Sequence, residues 1–206
     1  MSDQPTVESF LKDVKDHQLT IIRDDGLYRH LRFKRPDSGN MYFDIITWPG
    51  HLCYTGDMGC YVFSRIEDMF EFFRSSNGEL KINAGYWAEK VQADSVYGKG
   101  LREFSEERFR EILKEQFDNY FAEQESVEDR AAFEERKAEA WEAGEDEILC
   151  FGDLEHDGFH AAMSFERDGL SFPDFWDNHF FEYTYHYVWC CYALVWGIQQ
   201  YDLATS

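Results

Sequence analysis

Residues 19–34 read LTIIRDDGLYRHLRFK, and the Asp25-Gly26 pair between two β-prone runs decides the fold. Asp-Gly supplies the positive φ that tight hairpin turns require, so residues 19–23 and 27–34 are expected to pair as antiparallel strands. Alternation sorts the second run into two faces, Leu27, Arg29, Leu31 and Phe33 on one and Tyr28, His30, Arg32 and Lys34 on the other. That second face reads as the basic patch of the chain. Working outward, residues 41–48 form a largely apolar strand ended by Pro49 and Gly50. Residues 52–54 and 60–63 then make another hairpin, turning through Thr55, Gly56, Asp57, Met58 and Gly59. Upstream, Val7, Phe10, Leu11 and Val14 recur at spacings of three and four, which predicts a short amphipathic helix over residues 5–16.

Beyond the sheet the periodicity becomes helical. Ser64 with Glu67 reads as a capping box ahead of Ile66, Met69, Phe70 and Phe73. Asn83 is placed to cap a helix carrying Tyr86, Trp87 and Val91. Ser105 is placed to cap a longer one striped by Phe109, Ile112, Leu113, Phe117, Tyr120 and Phe121. Ser126 with Asp129 suggests a further start before residues 131–143, where the apolar positions are few, chiefly Val127, Phe133 and Trp141. Most of that helix must face water or a partner. After Gly144 and a short apolar run at residues 148–151, Ser171 and Pro173 introduce an aromatic helix reaching about Tyr201. Being apolar nearly all round, it is expected at the centre of the helical layer. The expected fold is α+β, with residues 1–206 as a single domain. A small N-terminal antiparallel β-sheet over about residues 17–65 packs against a predominantly helical C-terminal portion over about residues 66–206.

Composition bounds the function. The 206 residues include 41 acidic and 20 basic side chains, a formal net charge of −21. Aromatic residues make up 18% of the chain, which sets it apart from a solvated acidic tail and supplies large units of buried area. A field of this sign repels nucleic acid and anionic membranes, so no direct nucleic-acid binding is expected and a partner should present a basic surface. The N-terminal MSDQPTVESF has neither a basic region nor an apolar run, so no secretory signal and a cytoplasmic location are expected. Residues 180–198 are long enough for a membrane span. They contain Glu182, Thr184 and His186, however, and read better as a buried helix. Five cysteines, Cys53, Cys60, Cys150, Cys190 and Cys191, form an odd set without a CxxC pair. They are expected as reduced thiols in a core, with a Cys53–Cys60 bridge across the hairpin only in an oxidising compartment.

Residues 47–65, TWPGHLCYTGDMGCYVFSR, followed by IEDMFEFFR at 66–74, resemble a family of small proteins encoded by bacteriophages and prophages. The resemblance covers 28 residues, implies a phage context and transfers no catalytic residue. Read from the residues alone the segment is hairpin chemistry, in which His51 and Asp57 organise the turn.

The most informative physical feature is uneven charge. Residues 1–50 carry seven basic and eight acidic side chains, whereas residues 138–206 carry one basic side chain, Arg167, and fourteen acidic ones. Glu134, Glu135, Glu139, Glu142, Glu145, Asp146 and Glu147 are the candidate partner-binding residues. Glu135, Glu139 and Glu142 share a helical face, where like charges cost about 0.2–0.5 kcal/mol per pair. A basic partner turns that repulsion into attraction, because spaced carboxylates on a rigid scaffold can occupy phosphate positions on a surface built for DNA or RNA. The bland reading of the same run is a solvated face that keeps the protein soluble.

Other chemistry is less well supported. His156 and His160, four apart with Asp153, Glu155 and Asp157 nearby, are metal candidates, but Gly158 lies between them and no HExxH pattern is present. His51, Cys53 and Asp57 sketch a Cys-His arrangement without identifiable oxyanion donors. Gly98-Lys99-Gly100 lacks the flanks of a phosphate-binding loop, and no GxSxG occurs. The aromatic helix, with Phe175, Trp176, Phe180, Tyr183, Tyr187, Trp189, Tyr192 and Trp196, reads as core before it reads as a ligand pocket. Its polar tips call for partners, which His179, Glu182 and His186 can supply. The acidic surface, with the phage context that the resemblance at residues 47–74 implies, thus leads to the expectation of a phage-encoded inhibitor, without a cofactor, that binds a host nucleic-acid-handling defence complex such as a CRISPR effector. The alternative is a metal-dependent enzyme or a small-ligand-sequestering protein.

Overall fold

A computed structural model describes residues 4–75, 77–95, 100–124, 130–167 and 169–206. In chain order the elements begin with α1 (Val7–Val14), β1 (Gln18–Asp25), β2 (Tyr28–Lys34), β3 (Phe43–Trp48), β4 (His51–Gly56) and β5 (Gly59–Ser64). There follow α2 (Met69–Phe73), α3 (Ala84–Ala88), β6 (Val91–Ala93), β7 (Arg102–Phe104), α4 (Glu106–Ala122) and α5 (Arg130–Glu147). The chain ends with α6 (Phe159–Ser164), β8 (Glu166–Arg167), β9 (Leu170–Ser171), β10 (Phe181–Tyr183) and α7 (Tyr185–Thr205). The fold is α+β, an antiparallel sheet followed by a helical region. Contacts divide it into two compact units, one of Met1–Glu103 with Tyr183–Ser206 and one of Phe104–Glu182.

In the first unit, six strands run in the order β1-β2-β3-β4-β5-β6, each antiparallel to its neighbour. The first hairpin closes through Gly26 and Leu27, with Gly26 at φ +60, a left-handed conformation that a side chain resists. Alternation then puts Leu31, Phe33, Phe43, Ile45, Leu52, Tyr54, Tyr61 and Phe63 on one face, where they are buried. Helix α7 joins the same apolar cluster. Phe33 and Phe43 stack at 4.8 Å, while Trp196 lies 5.4 Å from Phe33 and Trp189 lies 5.8 Å from Phe43. A Cβ at Gly197 would come within 2.7 Å of Ile45 Cδ1, so the absence of a side chain sets how closely helix and sheet approach. The polar tips find partners: Trp189 Nε1 donates to Asp13 at 3.0 Å and the Tyr187 hydroxyl to the Ala84 carbonyl at 2.9 Å.

The placement of α7 corrects the sequence reading. The helix begins at Tyr185, where the Thr184 hydroxyl accepts from the Tyr187 amide at 3.1 Å, and not near Ser171 and Pro173. It covers the sheet and lies outside the helical cluster. The aromatic run upstream is split, because Phe172, Phe175 and Phe180 are committed to the second unit's core. Two smaller expectations also shift. Ser64 ends β5 and donates its hydroxyl to the Gly50 carbonyl at 2.8 Å, so Asp68 caps α2 instead, accepting from the Phe70 amide at 3.0 Å. Val91 lies in β6, paired with Phe63, and not on the helix capped by Asn83.

In the second unit, α4 buries Phe109, Ile112, Leu113, Phe117 and Phe121, the stripe that Ser105 introduces as N-cap. Phe117 meets Trp141 of α5 at 5.1 Å and Phe121 meets Phe133 at 5.9 Å. Phe109, Phe159, Phe175 and Phe180 close the other end, with Phe175 and Phe180 rings 5.0 Å apart. The expected helix start at Ser126 and Asp129, with Val127, lies outside the described residues, as do Gly98 and Lys99. No helix among the described residues is long and apolar enough to cross a membrane.

Candidate functional site

Helix α5 carries all seven candidate carboxylates. Its buried positions, Phe133, Ala140, Ala143 and Gly144, recur at three-, four- and seven-residue spacings and form one side. Trp141 and Phe133 anchor the helix on Phe117 and Phe121 of α4. The opposite side holds Glu134, Glu135, Glu139, Glu142, Glu145 and Asp146, every one exposed. Glu135, Glu139, Glu142 and Asp146 follow one another at spacings of four, three and four, so they lie along a single stripe. At 1.5 Å per residue the stripe runs about 16 Å.

This arrangement opposes helix stability twice. Like charges repel along the stripe, and Glu145, Asp146 and Glu147 occupy the last turn, where the helix macrodipole is negative and anions are disfavoured by about 0.3–1 kcal/mol each. The unit's cations do not offset it. Asp118 of α4 takes both Lys114, at 2.7 Å, and Lys137, at 3.1 Å. Burial pushes the Asp118 carboxyl up, but the hydrogen bonds from the two lysines outweigh it and hold the group below the usual carboxylate range. Lys114 also lies over Trp141, 4.6 Å from its ring centre, and Arg136 donates to Gln124 at 3.0 Å while covering Phe121. Arg167 reaches Glu147 at 3.6 Å. Among the described residues, no ion pair involves Glu134, Glu135, Glu139, Glu142, Glu145 or Asp146. Phe104–Glu182 as a whole contains 24 acidic and seven basic side chains, a net −17 of the chain's −21.

The other candidates are not assembled. His156 sits in a π-helical turn, Leu154–Gly158, and His160 in α6, both exposed. The His156 ring and amide engage Asp153, whose carboxylate is held low chiefly by the His156 amide. No group of three or more metal-ligating side chains occurs among the described residues. His51 stacks flat on Trp48 at 5.1 Å, its Nδ1 is 3.1 Å from the Pro49 carbonyl, and Asp57 accepts from the Met41 amide at 2.7 Å. Both residues therefore serve the turns and loops around β4. Cys53, with its thiol pushed up to about 12 by burial and by Cys60, is disfavoured as a first attacking thiolate while Cys60 is a free thiol.

Two sequence readings need correction. Cys190 and Cys191 are core thiols, but Cys53 is half-buried and Cys60 and Cys150 are exposed, because alternation turns the first two away from the apolar face. The basic face of β2 is not free: Asp44 of β3, opposite Arg32 in register, accepts from Arg32 at 2.7 and 2.8 Å and lies 2.8 Å from His30 Nε2. Sequence reasoning missed Asp44. Its signal was a lone carboxylate inside an apolar run one strand away from a row of cations. The small-residue side of α5, Ala140, Ala143 and Gly144, was missed as well, since residues without large side chains do not register as an apolar stripe. Compared with family models, curated proteins and solved structures, the chain matches none of them.

Proposed function

We propose that this chain is a binding protein that sets the acidic face of α5 against a basic, nucleic-acid-binding surface of its partner and blocks it by charge and bulk. One observation carries the reading. Six carboxylates face solvent from one helix, without an ion pair among the described residues, although their placement weakens that helix. The stripe Glu135, Glu139, Glu142 and Asp146 sets four charges over about 16 Å. One DNA strand, at 3.4 Å per phosphate, carries about five over the same length. A groove that tracks phosphates therefore finds a comparable line of anions here. The phage-like motif at residues 47–74 suggests the class of target, a host defence complex that handles nucleic acid, such as a CRISPR effector.

The test is capture of such a complex by the full chain at low and high salt, followed by release with the complex's own nucleic acid. Salt-sensitive capture, displacement by that nucleic acid and loss of inhibition with Glu135→Lys, Glu139→Lys and Glu142→Lys together are expected. The triple variant should unfold at the same denaturant concentration or a higher one, since the substitutions remove repulsion. A variant that still inhibits equally well would sink the proposal.

A further inference from the structure

The outward face of the sheet carries two cysteines in the first unit. Antiparallel register sets Cys53 of β4 opposite Val62 and Cys60 of β5 opposite Thr55, so the two cysteines are diagonal neighbours on one face. Their sulfurs lie 4.0 Å apart. Cys60 is exposed and Cys53 half-buried, whereas Cys190 and Cys191 are sealed in the core. The backbone around Cys60 is anchored, because its amide donates to Ser95 Oγ at 2.7 Å. Two thiols are thus held in van der Waals contact on ordered strands, with one open to solution.

We propose that Cys53 and Cys60 form a reversible dithiol–disulfide site, oxidised by exchange with a small-molecule disulfide such as oxidised glutathione. The Cys60 thiolate attacks one glutathione sulfur. A Cys60–glutathione bond forms, the glutathione S–S bond breaks, and the departing thiolate takes up the proton that Cys60 lost. The Cys53 thiolate then attacks Cys60 Sγ, forming the Cys53–Cys60 bond, and the second glutathione leaves as its thiol with the Cys53 proton. The protein loses two electrons and two protons, and one glutathione disulfide becomes two thiols. Exposure fixes this order. Burial, the Cys60 thiol and Asp44 all disfavour a Cys53 thiolate, and the contribution of Cys60 disappears once it is capped. A diagonal pair is wider at the backbone than a directly opposed one, so the bond draws β4 and β5 together next to their turn and is readily reversed.

The full chain carrying Cys150→Ser, which removes the other exposed thiol, is incubated with oxidised glutathione and mapped by mass spectrometry after alkylation. Loss of two hydrogens is expected, with peptides joined through Cys53 and Cys60 and restored by dithiothreitol. Adding Cys53→Ser should turn the mixed disulfide at Cys60 from a trace into the main species, and adding Cys60→Ser should leave Cys53 as a free thiol. Urea unfolding of each variant verifies that the sheet is intact. Retention of glutathione on Cys60 with Cys53 present, absence of reaction at both, or a Cys60 bridge between two molecules would each overturn the proposal.

Discussion

The two units use their charges in opposite ways. The first, with 13 basic and 17 acidic side chains, builds its cations into structure. Arg29 makes two hydrogen bonds to Asp68, at 2.8 and 2.9 Å, with its guanidinium 4.5 Å from the Phe70 ring centre. Arg74 makes two to Asp202, at 2.8 and 2.9 Å, and Arg32 with His30 encloses Asp44. The second unit, with a net −17, commits its lysines to one shared carboxylate and leaves a row of anions facing water. Acidity is therefore not a property of the whole surface. Where a carboxylate holds two strands or a helix end together it is neutralised, whereas α5 gathers six exposed carboxylates that make no ion pair among the described residues. That segregation, more than the net charge, points to α5.

The largest expected effect comes from testing whether the two cores stand apart. Phe43 is fully buried, with Phe33, Tyr54, Trp189 and Trp196 rings around it. Phe43→Ala removes that ring from a site closed on all sides and should cost about 3–5 kcal/mol. Urea denaturation reads the total, and hydrogen exchange reads its location. Exchange should rise in β2, β3 and β4 while α4 amides keep their protection. An equal rise in α4 would mean that the two clusters unfold as one, and the comparison would lose its basis.

Next in size is Asp68→Asn. Removing one partner of a buried ion pair costs up to about 3–5 kcal/mol, and here, with Arg29 12% and Asp68 25% exposed, about 2 kcal/mol is expected. The effect depends on pH in a definite direction. Burial raises the Asp68 and Asp44 carboxyls, but the hydrogen bonds from Arg29 and from Arg32 with His30 outweigh it, and both groups end below their ordinary range. A carboxyl depressed in the folded state stabilises the fold above its unfolded value, about 3.9, and that contribution fades as pH falls from there toward the folded value. Thermal unfolding followed over about pH 2 to 6 should therefore show a loss at the acid end that Asp68→Asn reduces. An unchanged acid slope in the variant would remove Asp68 from the account.

The first five strands of the sheet were legible in the sequence because their signals are local. Asp25-Gly26, Pro49-Gly50 and Gly56–Gly59 mark the turns, and period-two alternation fixes the faces between them. Helix caps at Asn83 and Ser105 were legible for the same reason. The fate of the C-terminal aromatic run was not. Nothing within residues 171–201 says which aromatic side chains join which core, since that depends on a sheet more than a hundred residues away in sequence. The acidic stripe was visible, because helical spacing alone puts Glu135, Glu139 and Glu142 on one face. Its lack of ion pairs was not, because Lys114 and Lys137 meet Asp118 only after α4 and α5 pack.

The smallest effect sharpens the comparison most directly. Asp118 takes both lysines of the second unit, and its side chain is 44% exposed. Pairs of that kind contribute about 0.2–1 kcal/mol, so Asp118→Asn should cost less than about 1 kcal/mol. Salt separates it from Asp68. Counter-ions screen an exposed pair, and the difference between wild type and Asp118→Asn should shrink toward zero as salt rises, whereas the cost of Asp68→Asn should persist because water and ions reach that pair poorly. Denaturant unfolding of both variants at low and high sodium chloride measures the two trends side by side. If Asp118→Asn costs as much as Asp68→Asn and keeps that cost in salt, the lysines of the second unit are as structurally committed as the arginines of the first. The exposed carboxylates of α5 would then belong to a surface whose charges are set by folding, and their segregation would no longer single out a binding face.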